Sequence, residues 1–347
     1  MNASNFSLRL LEWYARYGRE LPWRGTRDPY RIWVSEIILQ QTRVAQGYDY
    51  FLRFMGRFPD VETLAAATED EVMHEWQGLG YYSRARNLHT AARQIVEMGG
   101  FPTDYEGIRS LKGVGDYTAA AIASLAFDLP RAVVDGNVYR VLSRYLGIST
   151  PIDSTEGKKL FAALAQEMMV PKRAADYNQA IMDFGALQCV PKSPDCLSCP
   201  LADSCQALAE GCVDTLPVKQ HTTRVRDRYF TYIYIRCARE TLLQRRGAGD
   251  IWQGLYQVPM RETERPMTAA EVEDWVGEYG RWTQLCTDHR HQLTHQRLHA
   301  DFYLLEAERR PPIEGTWVME TDVQHYAVPR LVEDLIALVG GGCAAPD

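Results

Sequence analysis

The chain has no long apolar run and no leader-like pattern in its opening residues. No apolar run approaches the roughly 20 residues that span a bilayer. The opening MNASNFSLRLLEWYARYGRE has neither the continuous apolar stretch nor the small-residue cleavage site of a secretory leader. A cytosolic protein with no membrane partner is therefore expected. A basic surplus is missing as well. Residues 1–228 hold 26 basic and 27 acidic side chains, and residues 229–347 hold 12 arginines, 18 acids and not one lysine. Neither part is a nucleic-acid module by charge alone, so any contact with a polynucleotide has to come from local geometry. Internal repeats and low-complexity tracts do not occur. What is there is ordinary globular material, and 347 residues exceed one typical domain, so two domains are expected.

Helical periodicity fills the first 210 residues. SEIILQQTRVAQGYDYFLRFMGRF, DEVMHEWQGLG, RARNLHTAARQIVEMG, YTAAAIASLAF and GNVYRVLSRYLGI each place apolar residues three and four apart, with Gly and Pro between the runs. The texture changes at DTLPVKQHTTRVRD, a polar stretch that reads as a linker over 213–228. Beyond it RYFTYIYIRCA, TLLQRR, GLYQVPM and LHADFYLLEA read as strands, with helices at TAAEVEDWVGEYG and PRLVEDLIALVG. The expected architecture is multidomain: an all-α domain over 1–212, then a smaller α+β domain over 229–341.

Cysteine is scarce, eight in all, yet four fall within CVPKSPDCLSCPLADSC. They are Cys189, Cys196, Cys199 and Cys205. In a cytosolic chain such a cluster points to a metal rather than to disulfides. Four thiolates can bind zinc or a four-iron, four-sulfur cluster. Zinc sites usually pair two close C-x-x-C knuckles. A single C-x-x-C with wider flanks favours the larger iron–sulfur cluster, with zinc as the rival. Cys212, Cys237, Cys286 and Cys343 are scattered and read as structural thiols.

LKGVGDYTAAAIAS, residues 111–124, places Gly113 and Gly115 ahead of an alanine-rich helix. Glycines permit a sharp turn and a close backbone approach, and the N–H groups of the helix start suit a phosphate without any lysine. An ordinary turn between two helices fits that segment equally well. Two carboxyls stand in contrasting settings. Glu36 lies in the apolar helix of DPYRIWVSEIILQQT, among Ile32, Trp33, Leu39 and Gln40, where desolvation should keep it protonated. Asp135 precedes the helix whose stripe is Val138, Val141, Leu142 and Tyr145. As an N-cap at the positive helix end it should stay ionised. Each alone reads as ordinary, an edge Glu paired with Arg and a plain cap. As a pair they match the acid and the charged stabiliser of glycoside cleavage.

The cysteine loop resembles that of the endonuclease III superfamily of DNA glycosylases, and LKGVGDYTAAAIAS resembles their helix–hairpin–helix. In endonuclease III a lysine two residues past the second Gly attacks the sugar. Here that residue is Tyr117, and a phenol forms no Schiff base. Taken in order, EIILQQT, GLGYYSRARNLH, GVGDYT, VDGNV and the cysteine loop closely resemble the adenine DNA glycosylases, the MutY family. The resemblance is strong over 5–212 and weaker beyond.

That resemblance implies a helix–hairpin–helix glycosylase domain, with a six-helix part at about 21–127 and a cluster part from 1–20 plus 128–212. It implies a 4Fe-4S cluster on Cys189, Cys196, Cys199 and Cys205, and a monomer in the cytoplasm (bacterial cytosol and nucleoid). The implied substrate is double-stranded DNA with A:8-oxoguanine or A:G mispairs, from which adenine is removed without strand cleavage. Glu36 would protonate adenine N7, and Asp135 would stabilise the oxocarbenium-like sugar through a transient covalent bond. Tyr117 and Asn137 match positions that arrange the sugar and its attacking groups. Gly113 and Gly115 would meet the DNA backbone. Extruding a base requires a wedge and a pocket. Tyr81 matches the wedge, and Gln41 matches a residue that probes the vacated stack. Trp23, Arg24, Leu39 and Gln179 match the pocket.

In the second domain, GDIWQGLYQVPM resembles the W-x-G-L-x-x-x-P signature of Nudix-like domains. Their metal-binding helix needs R-E-x-x-E-E. TAAEVEDWVGEYG offers Glu271, Glu273 and Asp274 but no Arg-Glu or Glu-Glu pair, which favours recognition over hydrolysis. The family senses 8-oxoguanine with a loop reading Phe-Ser-His. This chain has Leu293, Thr294 and His295, keeping the hydroxyl and losing the aromatic ring. Three other readings compete: an endonuclease III-like glycosylase and lyase for oxidised pyrimidines, an iron–sulfur DNA-binding redox sensor with no use for Glu36 or Asp135, and a nucleotide pyrophosphatase built on 229–347.

Overall fold

The computed structural model describes residues 3–220 and 225–340. The chain divides into two compact units, Met1–Ala66 with Asn87–Thr222, and Ala67–Arg86 with Thr223–Asp347. Residues 221–224 of the expected linker, position 341 and Cys343 lie outside the described residues.

Before residue 220 the elements are helices: α1 (Ala3–Tyr17), α2 (Pro29–Leu39), α3 (Val44–Arg57), α4 (Val61–Ala66), α5 (Glu69–Trp76), α6 (Ser83–Glu97), α7 (Tyr105–Ser110), α8 (Asp116–Phe127), α9 (Gly136–Leu146), α10 (Thr155–Met168), α11 (Ala174–Leu187) and α12 (Gln206–Ala209). Their starts are written in polar residues. Asp28 accepts from Tyr30 N ahead of α2, with Pro29 in the first turn, and Asp104 accepts from Gly107 N ahead of α7. Thr68 and Glu71 close a reciprocal capping box on α5. The run SEIILQQTRVAQGYDYFLRFMGRF is not one helix. α2 stops at Leu39, Gln41 turns to φ 57°, and α3 begins at Val44. No Gly or Pro marks that break.

α8 is apolar nearly all round and buried from Thr118 to Ala126, the pattern of a central helix. Its alanines let α2 and α11 pack closely against it, and α11 also packs on α9. This arrangement brings four chain-distant segments to one place: the body of α2, the start of α8, the start of α9 and the middle of α11.

The second unit is built on a mixed sheet of β1 (Arg226–Cys237), β2 (Glu240–Arg245), β3 (Tyr256–Gln257), β4 (Met260–Thr263), β5 (Gly280–Gln292), β6 (Gln296–Ala307) and β7 (Thr316–Met319), with α13 (Ala269–Val276) and α14 (Arg330–Val339). The main path runs β3-β2-β1-β6-β5, while β4 pairs with β1 and β7 with β2. β1 and β6 are parallel, and β5 and β6 form an antiparallel hairpin. Phe230, Tyr232 and Tyr234 join a core with Leu331, Val332 and Leu335 of α14, whereas Ile233 and Ile235 join one with Val272 and Val276 of α13. Both sheet faces are thus covered, which is why β1 reads as a continuous apolar run rather than an alternating one. β4, β5 and β7 were not expected from the sequence. β5 is the instructive miss, a long edge strand with mostly half-buried or exposed residues and two register irregularities around Cys286.

Candidate active site

Glu36 is carried by α2 and is 8% exposed. Tyr117, in the first turn of α8, donates its hydroxyl to Glu36 Oε2 at 2.8 Å and lies 3.3 Å from Met182 Sδ. One carboxyl oxygen of Glu36 is therefore committed to Tyr117. Asp135 caps α9: Oδ1 accepts from Val138 N and Oδ2 from Asn137 Nδ2, both at 2.8 Å. These side chains line one cleft of about 790 Å³. Trp23, Arg24, Leu39, Gln41, Asn137 and Gln179 line the same cleft, which so gathers nine of the residues singled out from the sequence.

Burial pushes the Glu36 carboxyl up to about 7. The Asp135 charge adds to the rise, while the Tyr117 hydroxyl and the Arg24 guanidinium oppose it. Asp135 corrects the sequence reading. Its pKa also lies above the ordinary value, because burial outweighs the Val138 and Asn137 hydrogen bonds that favour its charged form. The two carboxyls are thus raised together rather than driven apart. They differ in donors: Asp135 has the helix-start N–H and an amide, Glu36 a single phenol.

Sequence reasoning missed a buried carboxylate that pairs with two arginines of the cleft lining. Asp183 of α11 has a fully buried side chain, and it accepts from Arg19 N and Nε and from Arg24 Nη1 and Nη2. Tyr14 of α1 donates to Gln179 Oε1. The only signal was a lone acid inside the apolar run AIMDFGAL, the same kind of signal that exposes Glu36.

The hairpin glycines lie away from the cleft and differ in character. Gly113 has φ 77°, and a Cβ there would come within 2.6 Å of the Asn87 side chain. Gly115 caps α8 with φ −93°, no side-chain cap bond and open space where a Cβ would stand. The first N–H groups of α8 are left open to an incoming acceptor.

Residues 34–167 match the model of the HhH-GPD superfamily of base excision DNA repair proteins, and residues 231–338 match that of the NUDIX domain. An adenine DNA glycosylase of Buchnera aphidicola subsp. Acyrthosiphon pisum (strain APS) is 31% identical over 345 residues, covering 95% of this chain and 96% of that protein. The chain belongs to the adenine DNA glycosylase family. The Mus musculus adenine DNA glycosylase is 46% identical over 213 residues, 58% of this chain, yet the match spans only 41% of that longer protein. Among solved structures, a thermostable thymine-DNA glycosylase is similar with a TM-score of 0.56 and 31% identity, over 60% of this chain and 97% of that one. The fold class read from the sequence, an all-α helix–hairpin–helix domain followed by an α+β Nudix-like domain, is the one observed.

In this member of the adenine DNA glycosylase family, Cys189, Cys196, Cys199 and Cys205 line one small cavity with Tyr145, Phe184 and Leu201. Among the described residues no three His, Cys, Asp or Glu side chains gather as ligands of a single ion. α9 ties this loop to the cleft. Arg140 donates to Asn137 Oδ1 at 2.8 Å and to Cys189 O at 2.8 Å, and Arg144 donates to Val190 O and Pro191 O.

In the second unit, Tyr81, Thr294 and His295 line a pocket of about 530 Å³. Tyr81 is exposed, stands at φ 48°, and its hydroxyl lies 2.6 Å from Thr294 Oγ1. Tyr81 and Gln41 thus both occupy the left-handed region that a non-glycine residue enters only at a cost. In the helix where a Nudix hydrolase would hold metal, Glu271 serves the capping box with Thr268 and pairs with Arg265. Glu273 accepts from Trp282 Nε1. Those acids have structural employment.

Proposed function

We propose that the protein removes adenine from double-stranded DNA where it stands opposite 8-oxoguanine or guanine, breaking the N-glycosidic bond and leaving the strand whole. The observation that carries this reading is the sharing of one cleft by Glu36 and Asp135, far apart in sequence, with Tyr117 bonded to the first and Asn137 to the second. An extruded adenine in that cleft meets Glu36, whose carboxyl near 7 is partly protonated at neutral pH, and takes a proton on a ring nitrogen so that it leaves as a neutral base. Asp135, oriented by Val138 N–H and the Asn137 amide, faces the sugar and stabilises its positive charge. Tyr117 offers a phenol where a lyase needs an amine, so no covalent imine forms with the sugar. The open N-terminus of α8 behind Gly115 supports a phosphate contact that draws on no lysine, in keeping with the acidic chain. Tyr81, Thr294 and His295 support a lesion-reading site in the second unit.

Cys189, Cys196, Cys199 and Cys205 are assigned to a 4Fe-4S cluster. The four thiols line one cavity, and their spacing, with one C-x-x-C and wider flanks, supports a polynuclear group over a lone zinc ion. The cluster's contribution is to cross-link the 189–205 loop that Arg140 and Arg144 hold against α9. The test of function is a single-turnover assay on a duplex carrying adenine opposite 8-oxoguanine. Free adenine should be released, and the strand should break only after alkali. Direct strand cleavage would restore the lyase reading.

A further inference from the structure

Asp183 has no part in the proposed chemistry, although its side chain is fully buried and it pairs with Arg19 and Arg24, two residues that line the cleft. Its partners are two guanidiniums. Both line the cleft, Arg19 with 27% of its side chain exposed and Arg24 with 12%. Arg24 bonds to both carboxylate oxygens, Nη1 to Oδ2 at 2.6 Å and Nη2 to Oδ1 at 2.8 Å. It also lines the cleft beside Glu36. A half-buried cation so placed favours an ionised neighbour, and an acid catalyst has to avoid that. We propose that Asp183 is a positioning residue for the acid: by pairing with Arg24 it fixes that guanidinium in the cleft wall and balances its charge, so that Glu36 keeps its proton.

The charge count supports this. Three polar groups bear on Glu36: Tyr117 from the start of α8, Asp135 from the cap of α9, and Arg24 from the segment before α2. Arg24 is the one cation of the three. Asp183 in turn is faced by Arg19 and Arg24, with Tyr14 nearby and Asp176 one step further. Burial raises the pKa of Asp183, but the hydrogen bonds from Arg24 and Arg19 outweigh it and hold the group below its ordinary value. Without this carboxylate the wall would carry two uncompensated guanidiniums. Arg19 can shed field to water. Arg24 is the less exposed of the two and is the one whose charge acts on Glu36. A purely structural role, tying α11 to the Arg19–Arg24 segment, leaves the Glu36 titration where it is.

This inference rests on the assignment of Glu36 as the acid, and the experiment separates the two. Infrared spectra of the full-length protein without DNA are recorded from pH 5 to 9. The protonated carboxyl band of Glu36 is identified by its loss in Glu36→Gln. In the parent protein its midpoint should lie near 7. Asp183→Asn, which keeps shape and removes charge, should lower the midpoint by about half a unit or more, and Arg24→Gln should raise it. A folded Asp183→Asn protein with an unmoved or raised midpoint overturns the proposal. So does Arg24→Gln without a rise, which decides the matter if Asp183→Asn fails to fold. In parallel adenine-release assays, Asp183→Asn should lose more rate at pH 8 than at pH 6. A parent protein that titrates as described but releases no adenine refutes the proposed function and leaves the role of Asp183 intact.

Discussion

Replacing Glu36 by Gln should slow the chemistry and strengthen the fold, and the size of both effects follows from one buried carboxyl. Folding raises that group from an ordinary 4.5 to about 7, chiefly by burial. Between those values the native state holds a proton that the unfolded chain has released. Its contribution to stability is therefore complete below about 4.5, declines as the pH rises, and is lost above about 7. At 1.36 kcal/mol per unit, the ionised form costs the native state about 3 kcal/mol at pH 8. Gln carries no charge and can still accept from the Tyr117 hydroxyl, so the variant escapes that cost. Its urea midpoint at pH 8 should exceed the parent's, and at pH 4 the two should nearly coincide. The same change removes the proton donor, and single-turnover adenine release should fall by about 10²- to 10⁴-fold, some 3–5 kcal/mol of barrier. A variant that keeps its activity, or is less stable than the parent at pH 8, refutes the reasoning.

Other perturbations separate the remaining parts. Tyr117→Phe removes the hydrogen bond that favours ionised Glu36. The alkaline limb of the pH–rate profile should then move to higher pH, and a move to lower pH contradicts the assigned contact. Gly113→Ala should cost about 1–3 kcal/mol in a urea titration, because φ 77° and the Asn87 side chain both oppose a Cβ. Gly115→Ala meets no such obstacle and should leave stability nearly unchanged while weakening binding to duplex DNA. Cys199→Ala should lose visible absorbance and bound iron together, and an iron-free parent carrying one zinc per chain would reject the cluster.

The parts of this molecule that can be read from its sequence are those where chemistry and local structure use the same residue. Glu36 and Asp135 each read as ordinary alone, an edge acid and a plain cap, and draw notice only as a pair in contrasting settings. The cysteine spacing narrows the choice to zinc or an iron–sulfur cluster, and the family resemblance adds the stronger reason for the latter. The hairpin is legible through glycine, although only Gly113 is required by backbone conformation. Less was visible where packing decides. The break between α2 and α3 has no glycine or proline to announce it, and Gln41 is held at φ 57° by its surroundings. β5 hides behind polar residues because an edge strand has one open side. The rise of Asp135 escaped for the opposite reason. Its cap predicts a charged group, and only the packing of α2, α8 and α11 shows how dry the site is. Asp183 belongs with these, since its meaning depends on two arginines more than 150 residues away.

The most direct test of the whole account is a crystal structure with a duplex that carries an uncleavable 2′-deoxyadenosine analogue opposite 8-oxoguanine. The account predicts the adenine turned out of the stack and lodged between α2 and α9, with a ring nitrogen within hydrogen-bonding distance of Glu36 and the sugar against Asp135. An adenine left in the helix, or bound where neither carboxyl can reach it, would contradict it.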